Sequence, residues 1–233
     1  MADEPAVRQG GANLQRLREE IIDCYRGVNR SPLYAALHHT IKSCQLPRKY
    51  ILEIIEGMES DLNFKGFDNF SQLRDYCYKV ASAVGLLCIE IFGYESDKVR
   101  EYAENLGIAL QLTNIIRDVK EDLGRGRIYL PREEIAQCGL SCEDLSGWRG
   151  DGFISLMEAQ YHRAAEYYRR AEAVLPAEER RNQMASEIMR AIYWALLEKM
   201  RAGNFPVLER RVALSGWRKV QIALSTYMKI MLS

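Results

Sequence analysis

The chain has 233 residues and a mass of 26.8 kDa, and 48% of its residues are hydrophobic, enough to bury a core in one large domain. Lysine plus arginine and aspartate plus glutamate stand at 32 each, so no net field draws the protein to nucleic acid, and any anion must be bound locally. The amino end, MADEPAVRQGG, lacks the basic and apolar regions of a signal peptide, and no window approaches the length of a membrane span.

Helical periodicity runs almost throughout, and strand alternation is missing. Helices are predicted at residues 12–26, 32–44 and 47–62, with Ser31-Pro32 and Pro47 as starts. Next comes NFSQLRDYCYKVASAVGLLCIEIFG, in which Ser71 is predicted as the cap. Leu73, Tyr76, Cys77, Val80, Ala81, Val84, Leu87, Cys88 and Ile91 follow the three-four rhythm of one face, and Gly93 ends the helix.

A long helix over 96–123 follows, then a connecting region at 132–152, then helices at 153–175, 177–202 and 211–231. The charged stretch around Pro176 reads as a surface turn, and Gly203 stands where the chain leaves a helix. The last helix is amphipathic and suited either to packing on the core or to touching a membrane surface. No repeat or linker divides the chain, which reads as one all-α domain over 1–233. Cys24, Cys44, Cys77, Cys88, Cys138 and Cys142 contain no CxxC pair, and the reading is reduced thiols in a cytoplasmic protein. Cys138 and Cys142 lack a nearby histidine for zinc, since the histidines are His38, His39 and His162.

Chemistry concentrates in GIALQLTNIIRDVKEDLGRGRIYLP, residues 107–131. On a helix, Asn114, Asp118 and Asp122 fall nearly above one another, a stripe about 12 Å long that begins near Gln111 and has Arg117 beside it. A DxxxD pattern by itself describes the wet side of an amphipathic helix. Here the preceding turn is apolar nearly all round, so Gln111 and Asn114 need partners inside the protein. Gly124 and Gly126 then release the chain and bring Arg125 and Arg127 back toward the acidic end. Carboxylates suit magnesium and arginine forks suit phosphate, so together they describe a metal-bridged diphosphate site.

LQLTNIIRDVKED followed by GRIYLP resembles the second aspartate-rich motif of the squalene/phytoene synthase family, the head-to-head isoprenyl diphosphate synthases. YCYKVASAVGLLCIEIFG resembles a second block of that family. The resemblance implies an isoprenoid-synthase-type helical bundle around a central cavity and Mg2+-dependent prenyl transfer, with Mn2+ as a substitute. It implies that Asn114, Asp118 and Asp122 hold the metal, that Arg117 and Arg127 bind diphosphate oxygens, and that Gln111, Tyr76 and Tyr129 face the reacting carbons. Val80, Val84 and Gly85 would shape the pocket for the isoprenoid tail.

The wording VASAVG is most like bacterial presqualene diphosphate synthases of the hopanoid route, which implies farnesyl diphosphate as substrate. Geranylgeranyl diphosphate, the substrate of phytoene synthases, is the alternative. No nucleotide-binding loop is present, so NADPH use is not supported. Partners implied are prenyl diphosphates, the inner face of a membrane and the next enzymes of the hopanoid or squalene route.

The family's first aspartate-rich motif is represented only by Asp3 and Glu4 in MADEP, so the sequence reads as starting inside that motif. Asp3 is the surviving metal ligand on that side, and the chain as written is expected to turn over weakly or not at all. A catalytically impaired isoprenoid-binding protein is the alternative from another class.

Overall fold

Short polar side chains and prolines start the early helices. In the computed structural model, which describes residues 4–28, 30–143 and 148–232, helix α1 spans Glu4–Tyr25 and α2 spans Pro32–Ser43. Ser31 Oγ accepts the Tyr34 N–H at 3.4 Å and Pro32 fills the first turn, as predicted. Helix α3 (Arg48–Leu62) begins after Pro47. Helix α4 (Phe70–Cys77) is capped by Asn69, whose Oδ1 accepts the Gln72 N–H at 3.1 Å, and not by Ser71, which lies inside the helix. The longer asparagine side chain one residue before the helix reaches the free N–H groups first.

The chain does not stay α-helical from Phe70 to Phe92. Tyr78–Ser82 is a π-helical segment, and α5 (Ala83–Phe92) follows it, ended by Gly93 at a φ of 81°. The wide turn advances the face. Leu73, Tyr76 and Cys77 are buried before it, whereas after it the buried positions are Ala83, Leu86 and Ile89. Val84 and Ile91, which the rhythm places on the same face as Leu73 and Cys77, are 41% and 52% exposed. A period of 3.6 carried straight across the segment misses this rotation.

The predicted helix over 96–123 is two helices, α6 (Lys98–Arg117) and α7 (Val119–Gly124), broken at Asp118 (φ −98°, ψ 12°). The short α8 (Arg132–Gln137) lies in the connecting region, and α9 spans Gly150–Val174, α10 Met184–Ala202 and α11 Gly216–Leu232. Helix α6 runs through the middle, packed on α9, α5, the π segment and α10. Its Tyr102, Leu112 and Ile116 are nearly inaccessible, and so are Leu156 and Tyr168 of α9. No strand occurs among the described residues, so the all-α expectation holds.

The turn around Pro176 is not merely a surface feature. Glu179 is 2% exposed and accepts the backbone N–H groups of Glu95 and Ser96 at 2.7 and 2.6 Å, which ties this turn to the start of α6. Glu187 is equally buried and is satisfied by the Tyr102 hydroxyl at 3.0 Å and the Arg190 guanidinium at 2.8 Å. All six cysteines are unpaired; Cys24 and Cys77 are buried and the other four partly so. Among the described residues, no helix is long and apolar enough to cross a membrane.

Candidate functional site

Gly107 brings α6 against the π segment. A Cβ on it would lie 2.5 Å from Ser82 Cα, and Ser82 Oγ donates to Glu104 O at 2.7 Å, so the two backbones touch. Gly85 does the same one turn on, with the Ala103 carbonyl 3.2 Å from where a Cβ would sit. Beside this contact runs an apolar groove of about 350 Å³, lined by Val80, Val84, Gly85, Cys88, Leu110 and Met189 among others. Val84, Phe92 and Met189 stand exposed at its open side. Tyr193 and Met189 of α10 form a wall that the sequence reading missed. A larger depression of about 840 Å³, between the start of α9 and residues 203–210, contains none of the predicted site residues.

At its polar end the groove is lined by Gln111 and Asn114. Asn114 Nδ2 donates to Gln111 Oε1 at 3.3 Å. Asn114 Oδ1 is buried with no partner among the described residues, an acceptor awaiting a cation or a donor. One turn on, the helix breaks, so the predicted straight row bends at Asp118. Asp118 still donates its N–H to Asn114 O at 2.8 Å, but its carboxylate is drawn between two guanidinium groups. Arg117 Nε donates to Oδ1 at 2.7 Å and a second Arg117 nitrogen contacts Oδ2, while Arg211 Nε reaches Oδ1 at 3.2 Å. Arg211, which also lies 3.9 Å from Glu121 Oε1, was not predicted. It is 93 residues from Asp118, and nothing local marks it.

Asp122 is half-buried, and burial followed by the charge of Asp118 pushes its carboxyl up to about 6, against the pull of Arg125 and Arg127. Gly126 turns the chain at a φ of 70°, and the Arg127 N–H returns to Asp122 O at 2.8 Å. The Arg127 side chain is held elsewhere. One terminal nitrogen donates to Tyr129 Oη at 3.3 Å and the other to Asp61 O at 2.9 Å. Tyr76 and Tyr129 both donate to the Asp61 carboxylate, and their rings lie 5.4 Å apart among Phe64 and Phe67. Burial raises both phenols above their ordinary range. Neither tyrosine lines the groove; both are buried beside Asp61, and Tyr129 accepts from Arg127.

The structure therefore gathers two groups. Val80, Val84, Gly85, Gln111 and Asn114 line the groove; Asp118, Asp122, Arg117 and Arg127 belong to a charged mouth joined to it through Asn114. Asp3 lies outside the described residues. Trp194 packs edge-on against Tyr168 and is not in the groove. Among the described residues no three His, Cys, Asp or Glu side chains converge as a metal cluster. The donors that are present still fit a hard divalent cation. They are an unpartnered buried amide oxygen and two carboxylates, the charge on one of them disfavoured by burial, and such a cation completes its shell with water and phosphate.

A family model for squalene/phytoene synthase matches residues 1–218. The chain belongs to the squalene/phytoene synthase family. It is 37% identical over 196 residues to a phytoene synthase of Mycobacterium tuberculosis, covering 82% of this chain and 65% of that protein. It is 35% identical over 216 residues to a chloroplast phytoene synthase of Solanum lycopersicum, covering 90% of this chain and 52% of that one. The chain thus spans between half and two thirds of the length of these relatives. The crystal structure of a squalene synthase, HpnC, from Alicyclobacillus acidocaldarius superposes with a TM-score of 0.76 at 29% identity, covering 83% of this chain and 74% of that one. A dehydrosqualene synthase in complex with a ligand gives 0.84 at 25% identity, covering 97% and 81%. The all-α synthase fold expected from the motifs is the fold of this family member.

Proposed function

We propose that this protein condenses two farnesyl diphosphates head to head to presqualene diphosphate, releasing diphosphate, in the hopanoid or squalene route. The observation that carries the reading is the change of polarity along α6. Its Leu110 turn lines an apolar groove, Gln111 and Asn114 close the end of that groove, and Asp118, Arg117 and Arg211 meet one turn further on. A prenyl diphosphate changes polarity in the same order.

In this reading Asn114, Asp118 and Asp122 hold the divalent cation, Mg2+ or Mn2+, which supplies charge neutralisation to the departing diphosphate when bound. Arg117 and Arg211 exchange their bonds to Asp118 for phosphate oxygens. The groove walls at Val80, Val84 and Met189 exclude water from an allylic cation.

The names of the mycobacterial and plant relatives favour a second reading, in which geranylgeranyl diphosphate is the substrate. Incubation of the chain and Mg2+ with each diphosphate in turn, with diphosphate release and prenyl products measured, separates them. The first reading expects presqualene diphosphate from farnesyl diphosphate at a low rate. Product from the longer substrate alone overturns it, and tight binding of both without turnover marks an isoprenoid-binding protein.

Peripheral membrane contact belongs to the same proposal. Helix α11 packs on α10 yet leaves Trp217, Leu224, Met228 and Leu232 between 51% and 79% exposed, and it carries Arg218, Lys219 and Lys229 with no acidic residue. The chain is expected to sediment with anionic vesicles but not with zwitterionic ones, and Leu224→Glu to weaken that binding about tenfold. Equal behaviour toward both vesicle types overturns this contact.

A further inference from the structure

Asp61, at the end of α3, belongs to no motif singled out in the sequence, yet the side chains of Tyr76, Tyr129 and Arg127 converge on it. Tyr76 Oη lies 3.0 and 3.2 Å from its two carboxylate oxygens, and Tyr129 Oη lies 2.8 Å from Oδ1. Its backbone carbonyl accepts from Arg127 at 2.9 Å, and the same guanidinium donates to Tyr129 Oη at 3.3 Å. These contacts join residues 15, 66 and 68 positions apart in the chain.

We infer that Asp61 is the positioning residue of the diphosphate mouth, fixing the direction of Arg127 through Tyr129; this rests on the functional reading above. An ionised carboxylate only accepts hydrogen bonds, so both phenols must spend their single proton on it. Tyr129 Oη is then left with only lone pairs for Arg127, and the Asp61 carbonyl takes the other arm of the fork. Two of the five guanidinium N–H groups are used in aiming the group, and the others remain for an anion. Asparagine at position 61 keeps one acceptor oxygen and puts an NH2 group, which only donates, in place of the other. Two phenols compete for that acceptor, the displaced one becomes an acceptor itself, and Arg127 loses its seat.

The test is a double-mutant cycle read by calorimetric binding of inorganic diphosphate in the presence of Mg2+, with the fold checked by thermal unfolding. Asp61→Asn and Arg127→Gln are each expected to weaken binding about tenfold, the usual scale for losing a partner that orients a ligand-binding group, and the double variant to be no weaker than either. A purely structural role for Asp61 predicts instead that the two losses multiply, and that result, or unaltered binding by Asp61→Asn, overturns the inference. Where Asp61→Asn does not fold, Tyr129→Phe is put through the same cycle, because it removes the link to Arg127 and keeps both the ring and Asp61. Losses that coincide support the inference and losses that multiply overturn it. If the unaltered chain binds no diphosphate, the functional reading fails and takes this inference with it; binding by the unaltered chain with a multiplicative cycle sinks Asp61 alone.

Discussion

Replacing Asp122 by asparagine is expected to make the metal-free protein more stable near neutral pH while reducing its Mg2+-dependent affinity for diphosphate about 100-fold. Burial, and then Asp118, hold the Asp122 carboxyl at about 6, against an ordinary value of 3.8. Between those two values the unfolded chain has given up a proton that the folded protein keeps. The stability linked to that proton is complete below the lower value and is lost as pH rises through the upper one. At neutral pH the charged Asp122 therefore works against the fold, and the uncharged isostere removes that cost. Because Asp122 is only half-buried, solvent screening reduces the gain to about 1 kcal/mol, or about 2 to 4 °C in melting temperature. At pH about 3, below both values, the difference should vanish. Excess Mg2+ should raise the melting temperature of the unaltered protein near neutrality and leave that of the variant unchanged. A variant that melts below the parent at neutral pH refutes the argument.

Gly107→Ala should lower stability by about 3 kcal/mol, seen as a fall of about 6 to 12 °C in thermal unfolding. The added methyl would stand 2.5 Å from Ser82 Cα and 2.6 Å from its nitrogen. Both are backbone atoms in a segment whose Ser82 hydroxyl is already bonded to α6, so no rotamer change relieves the clash. Helix α6 has to move away from the π segment, and the groove between them changes shape. Gly124→Ala is the control, since nothing lies within 4 Å of its added Cβ, and it should fall within about 0.5 kcal/mol of the parent. Unfolding of Gly107→Ala within about 1 °C of the parent would show that the contact is not rigid.

Much of this was legible in the sequence because it is written locally. The three-four rhythm located the helices, the prolines marked two starts, and the apolar turn before Asn114 announced a helix that enters the interior. Asn114, Asp118 and Asp122 were found because they recur at one helical period. The break at Asp118 escaped notice because the helical pattern runs on through it, and Arg211, which pairs with that carboxylate, lies far along the chain. Asp61 was invisible for the same reason: a single acidic residue at a helix end looks like any solvated one until Tyr76 and Tyr129 fold onto it. Glu179 was misread as a surface residue because its partners are two backbone N–H groups more than eighty residues away. Local patterns report which residues turn inward, whereas partners across the chain decide what a charged side chain does there.

The wide turn at Tyr78–Ser82 divides one continuous apolar pattern between two uses. Up to Cys77, greasy side chains hold the protein together. Beyond the turn, Val84 and Cys88 belong by pattern to the same series but face the groove, while Ala83, Leu86 and Ile89 take over the interior. At Val84 and Cys88 the groove wall is therefore built from hydrophobicity that contributes little to folding and stays available to a guest, whereas Ile89, Tyr102 and Leu106 serve the groove and the core at once. Chain-length preference can drift through residues such as Val84 with little penalty to the native state, an evolutionary freedom that a wall shared with the core would not have.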